Sequence, residues 1–249
     1  DENTRDLLPD YDTDQSYLVC RPEGERIQIS PIKPAEDNLM RVQTTGTMDD
    51  AGTLTAKTEL WFDGVNDNAY RNAFASMKPD DQRRFFERNL KATMPGARLT
   101  SLKIFPENML DMTAPLHAVM EFTADGMIAT GSGKAVASLP WVGKSFGIVN
   151  FILNGAGLEK RKYPMLTEVA CGLQETVSIK LGDGFTGAVS MPVCQPVDDE
   201  SIGYQEQVKF ADHTLDASRG LKLKIVEFSP DVYLKLKQTL KLLEYDERK

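Results

Sequence analysis

Histidine is scarce in this chain: 249 residues hold only His117 and His213. There is no HExxH helix and no CxxC pair, so a zinc centre is not expected. Cysteine is limited to Cys20, Cys171 and Cys194, and no local signature of a catalytic thiol surrounds any of them. Positive charge is also short. Lys and Arg number 29 against 37 Asp and Glu, a net charge of −8, so the average field repels nucleic-acid phosphates. Lys235, Lys237 and Lys241 share one C-terminal helix and read as its solvated face. Long hydrophobic runs are missing as well. The most apolar stretch, WVGKSFGIVNFIL, is interrupted by Gly143, Lys144, Gly147 and Asn150, which excludes a transmembrane helix there.

What remains is a soluble globular balance, 41% hydrophobic and 27% charged, long enough for one large domain or two ordinary ones. The chain opens at Asp1 without a basic, apolar leader, and is expected to be a processed protein or a fragment. Residues 1–38 read as an extended arm punctuated by Pro9, Pro22, Pro31 and Pro34. Two strands then flank the turn set Asp49, Asp50 and Gly52. Tyr70, Ala73, Phe74 and Met77 repeat at helical spacing. A second helix follows over 79–94, with Pro79 in its first turn and Phe86, Leu90 and Met94 as its apolar stripe. Strands return at 98–105 and 116–123, giving an α+β domain over 39–150 in the order strand pair, helices, strand pair.

Beyond 150 the texture is strand-rich. Leu173, Val177, Ile179 and Leu181 alternate with Gln174, Thr176, Ser178 and Lys180. Further strands are expected at GAVSMP, IGYQEQVKF and GLKLKIVEF. Residues 151–249 are therefore expected to form an antiparallel, β-sandwich-like domain. Ser229-Pro230-Asp231 starts a closing helix whose face is Val232, Leu236, Leu240 and Leu243. Trp141, Phe146 and Phe151 mark an apolar segment suited to an interdomain contact or pocket. Cys171 and Cys194 lie on or near neighbouring predicted strands, which leaves two readings open: a disulfide between them, or two reduced thiols.

The motifs with chemical overtones have plainer readings. Asp10, Asp12 and Asp14 start like a calcium loop, but the sixth and twelfth positions are Gln15 and Arg21 instead of Gly and Glu. GSGKA, residues 131–135, has one residue between its glycines and a strand-like continuation, so it reads as a bulge or flexible strand, not a phosphate loop. Asp198, Asp199 and Glu200 read as loop carboxylates. His117 sits on the strand face opposite Leu116, Ala118 and Met120, and His213 in a turn.

Several features in one order resemble a known family. They are the Leu7–Gly24 arm, the segment DDAGTLTAKTELWFDGVNDNAYRNAF, RKYPM before a strand, ETVSIKLGDGFTGAVSMP, and the late SPDVYLKLK. Together they resemble the C-terminal region of bacterial transglutaminase-like proteins. Gly182 in place of Pro and Met191 in place of Leu depart from that pattern. The resemblance implies β-rich accessory domains beside a papain-like Cys-His-Asp core that this chain lacks, in the periplasm or outside the cell. Cys20, His117 and His213 match none of the triad positions. The expectation is a non-catalytic accessory or interaction module with no cofactor and no metal, docking the upstream core or other envelope proteins and not nucleic acid. The alternatives are a free-standing extracellular ligand-binding or adhesion protein with an interdomain pocket, and a cryptic cysteine hydrolase.

Overall fold

Period-two alternation of apolar and polar residues gives the described residues more strand than helix. The computed structural model describes residues 12–246. The hairpin β1 (Ser16–Arg21) and β2 (Gly24–Ile29) comes first. Next are β3 (Leu39–Met48) and β4 (Leu54–Phe62), joined by a turn in which Asp49 Oδ1 accepts the N–H groups of Ala51 and Thr53. Helices α1 (Val65–Ser76) and α2 (Pro79–Thr93) follow, then β5 (Ala97–Phe105) and β6 (His117–Ala124). A second small hairpin, β7 (Ile128–Gly131) and β8 (Lys134–Ala137), precedes α3 (Ile148–Asn154). The remainder is β9 (Met165–Leu166), β10 (Cys171–Leu181), β11 (Val197–Asp198), β12 (Ile202–Ala211), β13 (Thr214–Leu223), β14 (Glu227–Phe228) and α4 (Pro230–Asp246).

Eight strands form one mixed sheet in the order β11-β12-β13-β10-β3-β4-β6-β5. Neighbours are antiparallel except β10 on β3, which run parallel from Gly172 opposite Leu39 to Leu181 opposite Met48. One face is apolar and sealed. Met40, Leu60, Met120, Ile179 and Leu223 are covered by Phe74 and Phe86 from α1 and α2, Phe146 and Val149 near α3, and Tyr233 and Leu236 of α4. Each such side chain contributes about 1.5–3 kcal/mol on burial. The other face is open and polar, an arrangement antiparallel sheets tolerate.

The class is α+β and β-rich, as expected. The boundary near residue 150 is corrected. β10, assigned by pattern to a separate sandwich-like domain, is hydrogen-bonded into the sheet of the first strands. A parallel pair needs a long crossover, and nothing in the local pattern names its distant partner. The strand expected at Gly187–Pro192 is absent; those residues form a loop. In that loop Pro192 and Pro196 lack ladder donors. Trp141 and Phe146 are buried, at 5% and 0% exposure, and belong to the larger core cluster, while Phe151 projects outward at 77%. Cys171 and Cys194 are not bridged; the first is sealed in the core and the second half-buried in the loop after β10.

Two charged networks lie inside. Arg71 and Asp67 pair on α1, and Arg71 also donates to the carbonyls of Met109, Asp111 and Ala114, tying down the segment between β5 and β6. Glu175 of β10 pairs with Arg219 of β13 and accepts the Gly143 N–H at 2.8 Å, clamping the 3-10 turn Val142–Ser145 onto the sheet. Asn38 bonds Val65 N and Ala170 O, linking segments 132 positions apart. Gly64, at φ 55°, lies against Asn38, where a Cβ would collide with Asn38 Oδ1 and the Asp37 carbonyl. No helix among the described residues is long and apolar enough to cross a membrane.

Candidate binding surface

Alternation sends Arg41, Gln43, Thr45 and Thr47 of β3 to the open face, and the registry decides what stands beside them. Arg41 faces Trp61, Trp61 faces His117, and His117 faces Phe105. One line across four strands therefore carries four π-bearing groups. Trp61 and His117 stack with ring centroids 5.1 Å apart and planes 12° from parallel. His117 and Phe105 stack at 6.0 Å and 23°. Arg41 Cζ lies 5.5 Å over the Trp61 ring. Asp63 fixes that guanidinium from both sides of the fork, with Nη2 to Oδ1 at 2.9 Å and Nε bonded to Oδ2. Stacked pairs of this kind add about 0.5–1.5 kcal/mol beyond area burial.

Electrostatics tune the middle of the row. Glu59 accepts from Lys57 Nζ, which holds its carboxyl below the usual range. Glu59 Oε2 stands 3.5 Å from His117 Nε2, too long for a good hydrogen bond. Burial between two rings lowers the His117 pKa, and the Glu59 charge only partly offsets this.

The row ends at an edge. β5 is the last strand of the sheet. Its register slips between Leu99 and Ser101, and Arg83 Nη2 covers the Leu99 carbonyl at 2.6 Å. From Ser101 to Phe105 the outer side of the strand pairs with no other strand of the described residues. Phe105 is 41% exposed there. Across the sheet, the same face dips into a shallow depression of ≈ 380 Å³, lined by Gln43, Thr45, Thr176, Ser178, Gln207 and Asp216. That lining offers hydroxyl and amide groups, with Ser178 Oγ bonded to Asp216 Oδ1 at 2.6 Å.

The residues singled out from sequence do not converge. Cys171 is buried and its thiol is pushed up to about 12 by desolvation. Cys20 is exposed on the first hairpin. His213 sits in the β12–β13 turn at φ 58°, and its carbonyl accepts from Leu181 N. GSGKA is the tip of the β7–β8 hairpin, with Ser132 and Gly133 both at positive φ. Asp199 Oδ1 accepts from Ser201 and Ile202 in a tight turn, and Lys224 pairs with Asp198. Asp10 and the start of the Leu7–Gly24 arm lie outside the described residues, and among the described ones no three potential ligands gather for a metal. Sequence reasoning placed His117 on the outward face but missed its row. The readable signal was Trp61, a large ring on the polar side of a strand whose other side was already apolar. No family model, characterised protein or solved structure matches the chain.

Proposed function

We propose that this chain is a non-catalytic interaction module that offers the open face and free edge of its sheet to a protein or peptide partner. The resemblance noted above implies the setting: an envelope or extracellular protein, with a transglutaminase-like core or another envelope protein as the partner. The observation that supports the reading is the row from Arg41 to Phe105. Its rings lie on the solvent side, so core burial does not account for them, and it stops at an exposed ring on a sheet edge. The reading sets Cys171 aside as a nucleophile, because a sealed thiol with a raised pKa holds no thiolate at neutral pH. The depression beside Gln43 and Thr176 favours a second reading, a site for a small polar ligand on the same face.

Panning a random peptide display library on the immobilised full chain tests the proposal. Peptides should be enriched that bind the wild type and lose at least ten-fold in affinity on the Trp61→Ala or Phe105→Ala variants. Enrichment that is absent, or indifferent to both substitutions, would overturn it.

A further inference from the structure

The geometry points to the partner's shape and chemistry: an extended strand, added antiparallel to Ser101–Phe105 of β5, with an acidic residue opposite Lys103 and an aromatic residue opposite Phe105. This rests on the interaction reading above and goes one step past it. The edge that would receive the strand is short and well delimited. The bulge at Thr100 and the Arg83 bond to the Leu99 carbonyl close its N-terminal end, leaving Ser101 to Phe105. A free edge with unpaired main-chain groups is a template for another strand unless it is blunted.

The side chains set which strand fits. Leu102 and Ile104 point to the core side yet stay only half-buried, because no neighbour covers them from beyond the edge. Apolar residues opposite them would complete that cover. On the open side, Phe105 ends a stack in which each ring is already faced by the one before it. A further ring in register would continue the row. Lys103 is exposed and has no ion-pair partner among the described residues. A second copy of this chain paired over the whole of Ser101–Phe105 would set Lys103 against its own counterpart, and like charges directly opposite destabilise a sheet. The same position rewards an acidic residue. In chain order the partner segment therefore reads aromatic, apolar, acidic, apolar.

A dye-labelled, end-capped peptide, Ser-Val-Trp-Val-Glu-Val-Thr, is the probe, with fluorescence anisotropy on the full chain as the readout. The expected results are saturable binding and a roughly ten-fold loss on Lys103→Glu. A peptide with Lys in place of Glu should recover that loss on the variant. Two backbone-methylated versions, blocking alternate nitrogens in opposite phase, separate main-chain pairing from loose adhesion: one should fail and the other bind. Absence of binding, equal affinity for wild type and Lys103→Glu, or indifference to both methylation phases would overturn the proposal. So would dimers of the chain that dissociate on Lys103→Pro, since a second copy would then own the edge. Panned peptides that depend on Trp61 but ignore the charge at position 103 would leave the interaction reading standing and remove this one.

Discussion

Arg219 Nη2 lies 2.8 Å from Glu175 Oε2, both side chains sealed, on residues directly opposite each other in β13 and β10. The same guanidinium carbon sits 4.5 Å over the Trp141 ring. The pair therefore joins two strands of the sheet and the turn that covers them.

Removing one partner leaves a buried charge, which costs about 3–5 kcal/mol. Arg219→Met should lower the thermal midpoint by about 10 °C, at roughly 2–4 °C per kcal/mol for a chain of this size. The double variant Glu175→Leu with Arg219→Met should recover most of that loss. Calorimetric melting of the two variants beside wild type decides it; equal losses would mean the pair is not the clamp.

Arg71 is a fork with every prong used, toward Asp67 and three carbonyls. Lysine is a point charge and cannot reproduce that fan. Arg71→Lys should destabilise by about 2 kcal/mol and speed amide exchange across residues 106–116 while leaving β10 and β13 protected. Exchange measured by mass spectrometry would show whether the loosening stays local.

The lowered His117 pKa has a definite sign. The unfolded chain binds this proton near the ordinary value of about 6.5, whereas the folded chain resists it. The contribution to stability is present above about 6.5 and is lost as pH falls through the lowered folded value. His117→Gln should remove that part of the acid-side decline. Urea midpoints measured from neutral pH downward should converge for the two proteins as acidity increases; parallel curves would assign the decline elsewhere.

Cys20 and Cys171 should differ sharply toward iodoacetamide. The exposed thiol should be labelled within minutes at mildly alkaline pH, and the core thiol, with its pKa near 12, only after denaturant is added. Peptide mapping reads both sites at once. Native labelling of Cys171 would mean that the sheet opens there.

Much of the fold was legible because burial leaves periodic marks. The β3–β4 pair, the α2 stripe of Phe86, Leu90 and Met94, and the Ser229 start of α4 all stand where local pattern puts them. What depended on distant partners was not legible. Trp141 reads from sequence as an interdomain contact or pocket residue, because nothing nearby in sequence announces Arg219 as its neighbour. Glu175 falls in the apolar phase of its strand, between Leu173 and Val177, and only the Arg219 opposite shows why a carboxylate is sealed there. Half of the candidate surface was visible: Trp61 and His117 each fall on an outward face. Their alignment with Arg41 and Phe105 is a property of registry across four strands, and a one-residue slip would destroy it.

The parallel seam between β3 and β10 has a consequence for how the chain can be divided. A cut near residue 150 would leave two four-stranded halves, β5-β6-β4-β3 and β10-β13-β12-β11, each with a newly bared edge strand that seeks another strand to pair with. Mixed together, the two pieces carry complementary halves of one hydrogen-bond ladder and should reassemble. Such a split protein would report, by regaining its shape, whenever whatever is fused to its halves comes together.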